Sequence, residues 1–570
     1  MKKHIEKLKA GYSSFYFCAG LAVALAALSV VRVPALADDD DDAHFRPGNL
    51  LVSRSVYDSN AVNIVAGTTL LPPGCAGSAC VAAVAGSAYP QVWNNDTVDG
   101  SFGITSKIVL DQLTRSGQLV NSVDVPDSLD HHAQSLGQMV TSFSSKSEIA
   151  LNLSSDKRFV TFMGYLAPVG ALDVSNSNTP DVVDPTNPVP GQYYRVVAQV
   201  DEHGKFHFTK SNAYSGNNGR AAVLNNDHGA KLLYMVGNAG NGGNPQPNGI
   251  IVGAGAQIAT AQDQPLNAQP DPGLPTPVGS FNITQLGDKA DKIGKDTNFR
   301  GLTFFNNVVY LTKGSGGNGI NTVYFIDTSG YDSNSNPLAC PNGVGLPNAA
   351  ATAPTSPIVY NAALLQTKGV FPYNMCVLKG FPTTLAKSTT SFPFGVWFAN
   401  PTTVYVTDEG DGTNTFDAAS GTYTAAAAQT TAGLQKWVFD AGQGGWKLAY
   451  VLNAGLGLGK PYTVNGYPTG NNATTSLPWA PATDGLRNIT GQVNHDGTVT
   501  IYAITSTVSG NGDQGADPNR LVAITDKLAA TSPAAGESFN TLRTARSGEV
   551  LRGVSFTPGT DADHDQRADR

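Results

Sequence analysis

Charged side chains are scarce in this chain, at 14% of 570 residues, and the apolar spacing of packed helices is almost absent. That pattern suits a large all-β architecture better than a string of α/β domains. Three chemical signatures are also missing: a Gly-x-Ser-x-Gly elbow, a His-Glu-x-x-His pair and a phosphate-binding glycine loop ahead of a helix. Cysteine occurs five times, without the short paired spacing or nearby histidines of a structural zinc site. Basic residues are outnumbered, 36 against 44 acidic, which argues against nucleic acid or an anionic membrane as the main partner.

Glycine and proline are abundant instead, at 62 and 34 residues, amid long Asn, Gly, Ser and Thr segments. Such a composition describes many short strands joined by loops, the signature of a large all-β architecture.

The N-terminus reads as an export signal, residues 1–37. Lys2, Lys3, Lys7 and Lys9 form a basic region, Phe15 to Val31 an apolar run, and Ala35-Leu36-Ala37 a small-residue cleavage site. The apolar run is at the lower limit for a spanning helix and is followed by Arg32 and Pro34, so no membrane span is expected after cleavage. The mature chain would carry 31 basic and 43 acidic residues, a net charge of −12, in the periplasm or outside the cell. Cys18 leaves with the signal. The remaining Cys75, Cys80, Cys340 and Cys376 suggest two disulfides, with Cys75–Cys80 and Cys340–Cys376 favoured among three possible pairings. Residues 38–45 are expected to be an acidic disordered start and 559–570 a charged disordered tail. In that tail Asp561, Asp563 and Asp565 alternate as in a calcium loop, without its glycine and distal glutamate.

Between these ends, residues 46–558, a sheet module recurs. Its clearest piece is a strand with a tyrosine: Leu232 to Val236, Val308 to Thr312, Thr403 to Thr407 and Thr500 to Ile504. Phe159 to Met163 is a fifth copy, with Phe162 in the tyrosine's place, and Leu50 to Ser53 a degenerate sixth. Ahead of the tyrosine strands come short segments that read as innermost strands: Glu148 to Leu151, Arg220 to Val223, Arg300 to Thr303, Phe394 to Trp397, Arg487 to Thr490 and, near the C-terminus, Arg552 to Ser555. Third strands follow at Ile108 to Leu110, Tyr194 to Val197, Gly249 to Val252, Thr322 to Phe325, Leu434 to Trp437 and Leu521 to Ile524, several turning tightly into a fourth.

Four strands recurring six times predict a single six-bladed β-propeller. Seven blades is the alternative, because residues 57–105 are weakly patterned. The last inner strand, at Arg552, has no partners after it, and the first tyrosine-type strand, at Leu50, has no inner strand before it. The two termini are therefore expected to close one blade. In this arrangement the chain resembles the broad class of secreted propellers of the NHL, SMP-30 or YVTN kind. The resemblance is architectural and implies the fold, not an activity.

Equivalent positions in a rotational repeat are equivalent in space, so Arg220, Arg300, Arg487 and Arg552, all at inner-strand entries, should gather at one mouth of the channel. Ser147 and Phe394 take that position in the other two copies. Four guanidinium groups there suit a carboxylate, sulfate or phosphate. Long loops after the tyrosine strands open on the same mouth, and one of them carries Asp408, Glu409 and Asp411, hard oxygen ligands that suit Ca²⁺, the one cofactor the sequence suggests. His131 and His132 lie between the first two blades; His203 and His495 fall in hairpin turns.

Two functions are compatible with this pattern. The first is an exported protein that binds a small anionic ligand, or a protein or glycan partner, at the loop-rich channel mouth. The second is a hydrolase or lyase for an anionic or lactone-type small molecule, with the arginines holding substrate and the acidic loop holding Ca²⁺ or acting as base. The export expectation is directly measurable: intact-mass and N-terminal analysis of protein recovered from outside the cytoplasm should give a chain starting at Asp38, and a retained Met1 would contradict it.

Overall fold

The tyrosine segments form strands because each joins an aromatic to β-branched neighbours, side chains that fit a pleated surface covered on both faces. In the computed structural model these are the second strands of a six-bladed β-propeller. It describes residues 44–58, 64–65, 67–71, 81–83, 88–95, 100–183, 189, 191–238, 256–263, 298–315, 319–326, 344–347, 375–386 and 389–560.

Blade 1 runs outward from the axis as Glu549–Phe556, Leu50–Val56, Thr105–Leu113 and Leu119–Asp124. Blade 2 is Asn152–Leu153, Phe159–Tyr165, Arg195–Asp201 and Phe206–Ser211; blade 3 is Gly219–Asn225, Leu232–Gly237 and Ala256–Thr260. Blade 4 is Phe299–Phe305, Val308–Lys313, Thr322–Ile326 and Met375–Leu378, with Val344–Gly345 added in parallel at its edge. Blade 5 is Pro393–Asn400, Thr403–Asp408, Gly433–Asp440 and Gly445–Leu452, and blade 6 is Ala482–Val493, Thr498–Val508, Arg520–Lys527 and Asn540–Thr544.

The termini meet as expected: Leu50, Leu51, Val52 and Ser53 pair with Phe556, Ser555, Val554 and Gly553 in one antiparallel ladder. The described residues within 57–105 do not make a seventh blade. Their described parts form two short pairs, Leu70–Leu71 with Val81–Ala82 and Asn94–Asn95 with Gly100–Gly103.

Each interface between neighbouring blades has its own apolar core. In blade 4, Val309 and Leu311 pack toward blade 3 while Val308 and Tyr310 pack toward blade 5. The tyrosines at 234, 405 and 502 likewise face the next blade. Phe162 does not: it packs against blade 1, and Phe159 takes the face toward blade 3. The sequence alignment of this copy is therefore out of register, because a slip by an odd number of residues exchanges the two faces of a strand. Two further strands differ from expectation. The third strand of blade 3 is Ala256–Thr260, whereas 249–252 lies outside the described residues, and the inner ladder of blade 2 begins at Asn152, after Glu148 to Leu151.

The blades are joined near the axis by a recurring hydroxyl bridge. Thr407 Oγ1 accepts the Gly395 N–H of its own blade at 2.7 Å and donates to the Arg487 carbonyl of the next. Thr312 does the same with Gly301 and Phe394, and Ser53 with Gly553 and Ile149. Thr161 donates to Ala222 at 2.8 Å. The glycines are required by contact: a Cβ on Gly395 would lie 2.7 Å from the Arg487 carbonyl oxygen, and one on Gly553 would lie 2.5 Å from that of Ile149.

Replacing Thr407 by Val keeps the shape but strands a buried N–H and a buried carbonyl. Thr407→Val is expected to lower stability by about 1–3 kcal/mol, read as a fall in the urea midpoint at unchanged m-value; an unchanged midpoint would show that the bridge contributes nothing.

Candidate functional site

At the channel mouth every arginine named above sits in a β-bulge. Ladder register skips Arg220 between Gly219 and Ala221, Arg300 between Phe299 and Leu302, Arg487 between Leu486 and Ile489, and Arg552 between Leu551 and Gly553. An extra residue in one strand breaks the alternation of faces and re-aims its side chain. The guanidinium groups thus leave the blade interfaces and enter the mouth.

They form a linked set there. Glu409, from the loop after the second strand of blade 5, lies 3.1 Å from Arg487 Nε and 3.8 Å from Arg300 Nε. Arg300 also donates to Ser147 Oγ at 2.6 Å, reaching from blade 4 to the entry of blade 2, and to Ser315 Oγ. Arg220 donates to Asn218 Oδ1 and the Phe299 carbonyl, each at 2.9 Å, and to Asn298, whose amide also donates to Ser315 Oγ. Arg552 donates through Nη2 to the carbonyls of Phe143 and Gly515. Its Nε and Nη1 are buried without a hydrogen-bond partner among the described residues.

Lys146, one residue before the Ser147 entry, was missed by the sequence reading because it lies outside the repeat-equivalent position. It keeps some accessible surface although it is set deep in the protein, and its ammonium makes no hydrogen bond or ion pair among the described residues. Burial lowers its pKa, and the neighbouring Arg487 and Arg300 lower it further against the opposing pull of Glu409 and Asp513. Arg552 is pushed down to about 9 by burial and then by Arg487. Burial works to raise Glu409, yet Arg300, Arg487 and Lys146 outweigh it and hold the carboxyl below its usual range. Glu148, on the same approach to blade 2, is saturated by Thr141, Ser142 and Tyr165, and accepts from Asn218 at 3.3 Å.

The acidic loop is divided among three tasks. Asp408 turns inward and accepts from the N–H groups of Phe392 at 2.8 Å and Gly410 at 3.0 Å. Glu409 serves the arginines, and Asp411 is exposed, accepting from Thr413 N–H at 2.8 Å. No group of three or more metal-binding side chains occurs among the described residues. Cys75, Cys80 and Cys340 lie outside the described residues, while Cys376 is fully buried in the fourth strand of blade 4. His131 and His132 are exposed beside a one-turn helix.

No model of a known family matches the chain, and no curated protein matches it.

The loop is anchored by a second carboxylate, Asp484, which accepts from Gly412 N–H at 2.8 Å and Gln429 Nε2 at 2.6 Å. Burial pushes Asp484 up to about 7, against an ordinary 3.8. Across that window the folded protein holds a proton that the unfolded chain has released, so this group makes stability fall as pH rises from about 4 to 7. Asp484→Asn should therefore shrink the loss of thermal midpoint between pH 5 and pH 8. An equal loss in variant and parent would contradict the assignment.

Proposed function

We propose that this propeller binds a small anion, of the carboxylate, sulfate or phosphate class, at the arginine-lined mouth of its channel. One observation carries the reading: Arg552 is 4% exposed, has no ion pair among the described residues, and keeps two guanidinium nitrogens, Nε and Nη1, without acceptors. A buried cation left in that state is unfavourable by itself and becomes favourable once an anion is supplied. The surrounding charge agrees with this. Lys146, Arg220, Arg300, Arg487 and Arg552 face Glu148, Glu409 and Asp513, an excess of two positive charges.

The hydrolase or lyase reading stands second. Two of the carboxyls with raised pKa, Asp408 and Asp484, commit both oxygens to local donors beneath the loop, which leaves them poorly placed as bases, whereas Asp517, pushed up to about 7 by burial, keeps Oδ2 without a hydrogen-bond partner among the described residues. The separate engagements of Asp408, Glu409 and Asp411 give no support to a shared Ca²⁺. Export remains part of the proposal, resting on the N-terminal pattern, as do the two disulfides; Cys376 is disulfide-bonded, in line with the pairing to Cys340.

Phosphate, sulfate and citrate, each compared with chloride at matched ionic strength, should raise the thermal midpoint by binding the folded state alone. Arg552→Ala should weaken that binding by about 1.5–3 kcal/mol, roughly ten- to a hundredfold. If no anion stabilises the protein and Arg552→Ala only lowers stability, the arginines serve to hold blades together.

A further inference from the structure

The inner strands carry a second set of equivalent positions, three residues beyond the entry positions Arg220, Arg300, Phe394, Arg487 and Arg552 and about 10 Å along the axis. These are Val223, Thr303, Trp397, Thr490 and Ser555, and all of them line one cavity of about 530 Å³. Its walls come from all six blades. The volume lies within the range of small-molecule pockets, roughly 300–1,000 Å³. Between it and the arginines lies the tight waist where inner-strand glycines meet the next blade's carbonyls, so it is a separate site on the opposite face.

Two features describe what would fill it. The first is Trp397, only partly buried, whose six-membered ring packs on Gly491: a Cβ there would sit 2.9 Å from both Cε3 and Cζ3 of the indole. Glycine inside a strand weakens it, and here the missing side chain makes room for a close-packed aromatic ring. The second is a group of idle polar side chains. Thr303, Thr490, Gln492 and Ser555 make no side-chain hydrogen bond among the described residues, although Ser555 is only 2% exposed. Among the described lining residues Lys157 alone is charged.

We propose that this cavity binds a neutral saccharide ring. The aliphatic C–H face of such a ring carries the slight positive charge that suits the negative face of an indole. Its hydroxyls both donate and accept, matching two threonines, a serine and a primary amide. A wholly apolar ligand would bury those polar groups without partners, and an ion would find almost no countercharge.

Glucose, maltose and cellobiose, titrated against the full chain and followed by calorimetry and tryptophan fluorescence, test this directly. At least one should bind, on the order of tenfold more weakly in Trp397→Ala, and equally well with and without saturating phosphate. Gln492→Ala, which removes a side chain with no hydrogen bond among the described residues, is the second variant and should weaken binding with an unchanged melting midpoint, so a folding defect in Trp397→Ala would not leave the test open. Binding of indole in place of all three sugars, no binding at all, or sugar binding indifferent to both substitutions would overturn the proposal. None of these outcomes bears on the anion site.

Discussion

The structure depends on how closely six inner strands can crowd around one axis. Where Gly395 and Gly553 face the next blade's backbone, there is no space for even one methyl group. The contact is made productive by a side-chain hydroxyl that takes an N–H from its own blade and gives a proton to the next, as in Thr407 and Thr312. Where Thr312 and Ser53 take a ladder N–H in this way the inner strand bulges, and Arg300 and Arg552 leave the sheet. Packing at the axis and presentation of these two arginines are thus one constraint.

That constraint sets the electrostatics of the mouth. Four arginines on bulged strands and Lys146 on a loop meet in a region that supplies few carboxylates, and Glu409 is shared between Arg300 and Arg487. Carbonyls and serine hydroxyls satisfy part of the remaining donor capacity, as at Arg552 and Arg300. They provide dipoles but no countercharge, so burial and mutual repulsion persist at Lys146 and Arg552. That residual burial and repulsion is the observation on which the proposed anion site rests.

Much of this was legible in the chain. The tyrosine strands, the closure of Leu50 to Ser53 on Arg552 to Phe556 and the shared mouth of the arginines all follow from a repeat whose copies are offset at the two ends. The parity of blade 2 was not legible. Phe159 to Met163 is apolar on both faces, so no alternation tells Phe159 from Phe162, and only the hydroxyl of Thr161 marks the register. The bulges were invisible for a related reason: an added residue in a run buried on both sides leaves the apolar pattern intact. Lys146 and the division of labour among Asp408, Glu409 and Asp411 depend on loop paths that no local pattern encodes.

The pairing of Leu50–Val56 with Glu549–Phe556 has a temporal meaning as well as a spatial one. A chain made from its N-terminus presents the second strand of blade 1 before the other blades, but the strand that covers its inner edge only after all of them. Until then the ring is a row of blades with an exposed edge at one end, and the arginine mouth lacks Arg552. The polypeptide therefore carries its own delay: it completes neither its barrier to edge pairing nor its cationic cluster until Glu549–Phe556 has been made.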